Sequence, residues 1–165
     1  MRNKAGLRIV VIMITLLPLV VQIYAQSTEQ STQPTAEIEQ ALTVFLTAFD
    51  NLDWPAFRAC FAPNASIFHP APPNLKRIDS PQEFERAWLG VFARIKKNSG
   101  RNAPPYMHLS PQDLKIELLS DDAALVTFHL VDGTTLSRRT IILKRISGSW
   151  KIVHLHASNL VMPAP

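Results

Sequence analysis

The chain has 165 residues, with 17 Lys and Arg against 13 Asp and Glu, for a formal charge of +4 at pH 7. Apolar residues make up 47% and charged residues 18%, enough to build one core and too apolar for wholesale disorder. The pI near 9.5 does not signal a nucleic-acid binder. Arg2, Lys4 and Arg8 lie in a removable leader, and residues 26–165 hold 14 basic and 13 acidic residues, a net +1. That balance gives no electrostatic footing for phosphate backbones or anionic membranes.

Residues 1–8 are short and positive, residues 9–21 form an apolar run of 13, and Gln22-Ile23-Tyr24-Ala25 ends on a small residue. This order matches a secretory signal peptide over 1–25, cleaved near Ala25. The alternative is a retained anchor. A bilayer crossing needs about 20 apolar residues, and Pro18 interrupts this run. The expected address is therefore secreted or periplasmic, with no stable membrane span after processing. Cys60 is the only cysteine, so no intrachain disulfide can form. Its neighbours Phe57, Ala59 and Phe61 mark it as a buried apolar thiol and not a nucleophile.

Residues 26–34 (QSTEQSTQP) read as a flexible linker, leaving a domain over 35–160 and a tail at 161–165. Helix one is predicted from a Thr35 cap, with Ile38, Leu42, Phe45 and Phe49 on one apolar stripe. Helix two is short: Asp53 caps it, Pro55 sits in the first turn, Trp54, Phe57 and Phe61 share a face, and Pro63 ends it. Residues 65–69 read as a short strand, and Pro70, Pro72 and Pro73 make the following stretch an irregular loop. Helix three opens on Ser80-Pro81-Gln82-Glu83, a capping box, buries Phe84, Trp88, Val91, Phe92 and Ile95, and stops at Asn98-Ser99-Gly100. Four strands follow at 113–119, 123–131, 134–146 and 149–158. They are separated by Ser120-Asp121-Asp122, Asp132-Gly133 and Ser147-Gly148, an antiparallel meander. The predicted class is α+β, with three N-terminal helices packed on a curved antiparallel sheet. A sheet covered this way tends to enclose a pocket at its open end.

Three stretches carry a family resemblance: FDNLDWPAFRACFAPNASIFHP at 49–70, SDDAALVTF at 120–128 and GSWKIVHLHAS at 148–158. They resemble the nuclear-transport-factor-2-like cone in its SnoaL-like branch. The last stretch is similar to the final strand of the calcium/calmodulin-dependent kinase association domain. The fold hosts isomerases, cyclases, dehydratases, scaffolds and binding modules, so it does not by itself give function.

The ketosteroid isomerase branch, by resemblance, places its carboxylate base at the end of the first strand and its oxyanion tyrosine in helix one. Those positions hold His69 and Phe45, which makes steroid-type isomerisation an unsuitable reading. Whether the protein is an enzyme stays open: His69 could act as a general acid or base near neutral pH, or bind backbone or water at a strand end. The kinase association domain presents pocket arginines to carboxylate ligands. The matching positions here are Leu130, Ile141 and Ala157, none able to pair an anion. Arg139, two residues before Ile141, shares its strand face and could bring one positive charge near the pocket mouth, or lie solvated at the edge. The resemblance implies a ligand pocket built from Trp54, His69, Trp88, Phe92, Phe128, Leu130, Arg139 and Ile141. An apolar pocket with one or two polar groups suits a small, mostly apolar ligand.

Strand alternation places His154 and His156 on one face with Trp150. A pair two apart on a strand can chelate a metal, but no Asp, Glu or Cys nearby completes a ligand set. By resemblance this is the outer face where such folds dimerise, so Trp150, His154 and His156 are expected at a homodimer contact, with no metal. Ser residues lie in caps, turns and the linker, and Gly occurs five times with no phosphate loop, so no cofactor is expected. The expected partners are a small-molecule ligand and a second copy. The rival readings are a lyase, isomerase or hydrolase using His69, and a dimeric protein-interaction module.

Overall fold

The computed structural model describes residues 17–70 and 76–163. Two compact units divide the chain, residues 1–34 and 35–165. Helix α1 runs Leu17–Asn51 with Pro34 inside it, so Thr35 is not its cap and the expected linker at 26–34 has helical backbone. Ala25, Glu29 and the three Gln of 25–33 are good helix formers, and no Gly or Pro interrupts that stretch before Pro34. Most of the expected leader, residues 1–16, lies outside the described residues. Among the described residues no helix is long and apolar enough to cross a membrane.

The larger unit contains the sheet. Ile38, Leu42, Phe45 and Ala48 on α1 are buried, the stripe that a 3.6-residue period produces. Helix α2 is Trp54–Ala59, and the Asp53 carboxylate accepts the Ala56 N–H at 3.1 Å. Cys60 ends it, and β1 begins at once, Phe61–Phe68. Phe61 and Pro63 therefore belong to the strand and not to the helix. Pro63 is tolerated because β1 is an edge strand whose pairing is irregular between Phe61 and Ser66. The Arg58 guanidinium holds the turn by donating to the carbonyls of Phe61, Ala62 and Pro63, at 3.3, 3.2 and 3.1 Å. Residues 71–75 of the expected proline loop lie outside the described residues.

Helix α3 is Pro81–Asn98, capped by the Ser80 hydroxyl, which accepts the Glu83 N–H at 3.2 Å. Gly100, just past its end, adopts φ of 65°. The loop that follows is tied to the end of α1. Asp50 accepts the Tyr106 N–H on its carbonyl at 2.8 Å and the Leu109 N–H on its carboxylate at 2.9 Å.

The remaining strands are β2 Gln112–Ser120, β3 Ala123–Asp132, β4 Thr135–Ile146 and β5 Ser149–Val161. They form the predicted antiparallel meander. The β4–β5 turn has positive φ at both Ser147 (49°) and Gly148 (79°), the twist that joins two strands tightly. The sheet order is β1-β5-β4-β3-β2. Strand β1 adds to β5 in parallel, so the five-stranded sheet is mixed, and it is not closed into a barrel.

One face of the sheet carries the core. Ala65 and Ile67 of β1, Ala124, Val126 and Phe128 of β3, and Ile141 and Leu143 of β4 are buried on it, beneath Phe57, Phe84, Trp88 and Phe92 of the helices. In β5 the alternation breaks. Ile142 pairs with His154 but Leu143 pairs with Ile152, so Val153 is an extra residue, a β-bulge. Trp150 and Ile152 before it and Leu155 and Ala157 after it all face the core.

Candidate functional site

The inner face brings several sequence-predicted residues into one row. Phe128 pairs with Arg139, and Arg139 with Ala157. The β1–β5 register pairs Phe68 with His156; carried one residue further it sets His69 beside Ala157. The row is thus Phe128, Arg139, Ala157, His69 across β3, β4, β5 and the end of β1. With strands about 4.8 Å apart, His69 and Arg139 lie about two strand spacings apart over the small side chain of Ala157. Leu130, half-buried, pairs with Ser137 in the next row outward, and Ile141 lies fully buried in the next row inward.

Above this row is an aromatic cluster. Trp88 is 4% exposed and its ring contacts Phe49, Phe57, Phe61, Phe84 and Phe92 at centroid distances of 4.7 to 6.4 Å. His69 is the heteroaromatic ring against it, edge-on at 5.8 Å. The indole Nε1 of Trp88 is buried without a hydrogen-bond partner among the described residues. A buried donor left unpaired costs about 1–3 kcal/mol, so this N–H is the strongest local demand for an acceptor. Trp54 and Phe92 belong to the same cluster, T-shaped at 6.1 Å. Phe45, at the position of the isomerase tyrosine, packs on Phe57 and Phe61 at 5.4 and 5.8 Å.

Arg139 is partly buried on the inner face, and burial lowers its pKa to about 10, still charged at neutral pH. Its Nη1 donates to the Arg138 carbonyl at 2.9 Å and to Asn159 Oδ1 at 3.5 Å. The same Asn159 oxygen accepts from the Ser137 hydroxyl at 2.9 Å. Arg139 makes no ion pair among the described residues. The polar trio of Ser137, Arg139 and Asn159 was only partly legible beforehand. Arg139 follows from alternation along β4, whereas Asn159 needs β5 to continue to Val161 and its bulge to set the phase.

A model of the SnoaL-like domain matches residues 38–164. The chain belongs to the SnoaL-like domain family. No curated protein matches it. Among solved structures, an NTF2-like protein of unknown function from Pseudomonas putida KT2440 aligns with TM-score 0.64 and 19% identity over 81% of this chain and 98% of that one. A candidate dehydratase of the NTF2-like family from Streptomyces avermitilis aligns with TM-score 0.63 and 21% identity over 79% and 98%. The association domain of C. elegans CaMKII aligns with TM-score 0.55 and 20% identity over 80% and 98%. At these identities the likeness concerns the fold.

On the outer sheet face of this SnoaL-like domain, the bulge changes which residues keep company. His154 and His156 point away from the core, whereas Trp150 is 7% exposed and faces it. The three residues expected together at a dimer face are therefore split, because plain alternation from Trp150 to His156 skips over Val153. His154 Nδ1 is hydrogen-bonded to the Ser66 hydroxyl at 2.8 Å. Its pKa is lowered by burial first, then by the charges of His156 and Arg77. Among the described residues no group of three or more His, Cys, Asp or Glu is placed to hold a metal.

Trp150 instead joins a network that sequence reading missed. Its Nε1 donates to Glu37 Oε2 at 3.1 Å, and Arg145 Nη2 donates to the same oxygen at 2.5 Å. The Arg145 guanidinium also lies 4.8 Å from the Trp150 ring centroid. These hydrogen bonds, Arg145 first, hold the Glu37 carboxyl below its ordinary pKa. Nothing in the pattern of α1 pairs a residue with one 108 positions later. Beside this network lies a cleft of about 360 Å³ that Ala41, Val44, Cys60 and Ile152 help to line. The Cys60 thiol donates to the Ala56 carbonyl at 3.3 Å, and burial pushes its pKa up.

Proposed function

We propose that this SnoaL-like domain binds a small, mostly apolar molecule between its helices and the inner face of its sheet. The observation that carries the reading is Trp88 Nε1, without a hydrogen-bond partner among the described residues and buried in an aromatic wall with the His69 ring against it. Small-molecule sites combine this kind of apolar lining with a few placed polar groups. In this reading Trp88 donates to a ligand acceptor and His69 supplies a second polar contact. Phe128 and Leu130 form the floor. A hydrophobic metabolite library screened by thermal shift tests it: binding raises Tm by mass action, and Trp88→Phe weakens the response by removing the donor. No shift across the library, in the wild type and in Trp88→Phe alike, refutes it.

The rival reading is catalytic, with His69 as general base, and its support is the position of His69 at the end of β1 in the row with Arg139. It predicts turnover that rises through the imidazole pKa and is lost in His69→Ala. Full activity of that variant on any substrate found excludes the role.

The reading also includes export and pairing. Residues 1–25 act as a cleaved leader to a secreted or periplasmic location, and amino-terminal sequencing of the exported protein would then begin at Gln26. Retention of Met1 would make the segment an anchor. The outer face with His154 and His156 is the proposed homodimer contact, in line with an exposed His156 beside a partly exposed His154. Light scattering of the processed domain would report twice its mass, and a monomer at all concentrations would remove the dimer from this reading.

A further inference from the structure

We propose that the molecule held at the inner face is an apolar acid, and that the Arg139 guanidinium receives its carboxylate. The inference rests on the binding reading above and adds the chemical class of the ligand.

Arg139 differs from the other arginines of the sheet and of its flanking segments, and from Arg86, Arg94 and Arg101, which are exposed to solvent. Arg145 is paired with Glu37, Arg77 with Asp79 at 3.0 Å, Arg58 is spent on three carbonyls, and Arg138 donates to Ser158 Oγ at 3.2 Å on the outer face. Arg145 shares the inner face but is neutralised by Glu37; Arg139, partly buried on that face, contacts only neutral oxygens, through Nη1. A guanidinium taken partly out of water without a counter-charge is unfavourable. Arg139 is partly buried in this way, and that burial lowers its pKa to about 10. The free edge of the fork, Nε and Nη2, is the edge that receives a carboxylate through two parallel hydrogen bonds.

The surroundings set the rest of the molecule. Asn159 Oδ1 already accepts from Ser137 and Arg139, so its amide N–H groups are donors still to be used. Trp88 Nε1 is a further donor. Arg139 and the Asn159 amide, with no carboxylate beside them among the described residues, call for an anionic, acceptor-bearing head. Between Arg139 and His69 in the same row stands Ala157, whose small side chain leaves the sheet surface low, and Phe128 flanks the other side. An apolar body of aromatic or short-chain size fits that surface. A polyanion does not, because the row offers one arginine and a single imidazole.

The test uses two acid–amide pairs of equal shape: 3-phenylpropanoate with 3-phenylpropanamide, and octanoate with octanamide. Binding to the domain is measured by calorimetry at pH 7.5. The charge-assisted pair predicts that at least one acid binds about ten-fold or more tightly than its amide. In Arg139→Gln that preference disappears while amide affinity stays. Raising salt weakens the acid and not the amide. If Arg139→Gln does not fold, Arg139→Lys keeps the charge but loses the fork, and its acid affinity falls while its amide affinity holds. Equal binding of acid and amide to the wild type overturns the assignment of Arg139 and leaves the binding reading standing. Preference for the acid that survives both substitutions also overturns it. No binding of any of the four probes overturns both.

Discussion

Replacing Trp88 separates two contributions that the structure places in one side chain. Trp88 is 4% exposed and sits among six rings, with its Nε1 unpartnered among the described residues. Truncation to Ala removes the whole indole, and buried Phe or Trp to Ala typically costs about 3–5 kcal/mol. Trp88→Phe keeps a six-membered ring against Phe57 at 4.7 Å and Phe49 at 5.4 Å. It gives up roughly two buried carbon groups, about 0.8 kcal/mol each, plus a small cavity. Against this, it removes a buried donor whose lack of a partner costs about 1–3 kcal/mol. The two effects offset, so Trp88→Phe should stay within about 1 kcal/mol of wild type, from the same estimates. Urea unfolding followed by far-ultraviolet circular dichroism measures both variants without relying on Trp fluorescence. With m of about 1–3 kcal/mol/M, the Ala variant should lose 1 M or more in midpoint and the Phe variant well under half of that. If Trp88→Phe is as unstable as Trp88→Ala, the indole N–H is not an unmet demand, and the main support for a ligand at this place falls.

Three further outcomes follow from the titratable groups. The Glu37 carboxyl is held below its ordinary pKa of 4.5 by Arg145 and Trp150. Its stabilisation is therefore present above pH 4.5 and lost as pH falls through the lower folded pKa; Tm measured from pH 6 to 3 should fall less steeply in Glu37→Gln than in wild type. His154 is a base whose folded pKa lies below 6.5, so the unfolded chain takes up its proton first and stability declines as pH drops below 6.5. An NMR titration should place the His154 midpoint below that of an unperturbed imidazole, and a midpoint above 6.5 would reverse the sign. Cys60, with its thiol pKa raised by burial, should react with a disulfide reagent at pH 8 more slowly in the folded protein than in urea; equal rates would mean the thiol is open to solvent.

The local signals of this chain were legible because each is decided by a few neighbouring residues. Ser80 and Glu83 close a cap within one turn, Ser147-Gly148 supplies two positive φ angles, and Ile38, Leu42 and Phe45 repeat at helical period, with Ala48 buried in full and the expected Phe49 only in part. Strands β2 to β5 were bounded to within a few residues by their turns. The beginning of α1 was not, because Thr35 offers a cap only if the backbone before it is not already helical. Phe61 falls in β1 and not on the face of α2, and Pro63 does not end the helix, because an irregular edge strand tolerates a Pro that elsewhere stops an element. For the site, alternation from Ile141 was enough to place Arg139 on a face, but not to say which residues would stand beside it.

What the sequence by itself determined is the inventory: the helices and meander, the family, a near-neutral domain, and His69 at the end of the first strand. Tertiary structure alone decided the company each residue keeps. The extra residue at Val153 sends Trp150 to the core and His154 to the other face, and the parallel pairing of β1 with β5 brings His69 into the row of Arg139 and Ala157. Among the described residues, burial then leaves Trp88 without a hydrogen-bond partner and Arg139 without a counter-charge. The physical reason is range. Helical period, caps and tight turns are set within a few residues, whereas strand register and the pairing of buried polar groups join positions far apart in the chain, where a shift of one residue exchanges one face of the sheet for the other.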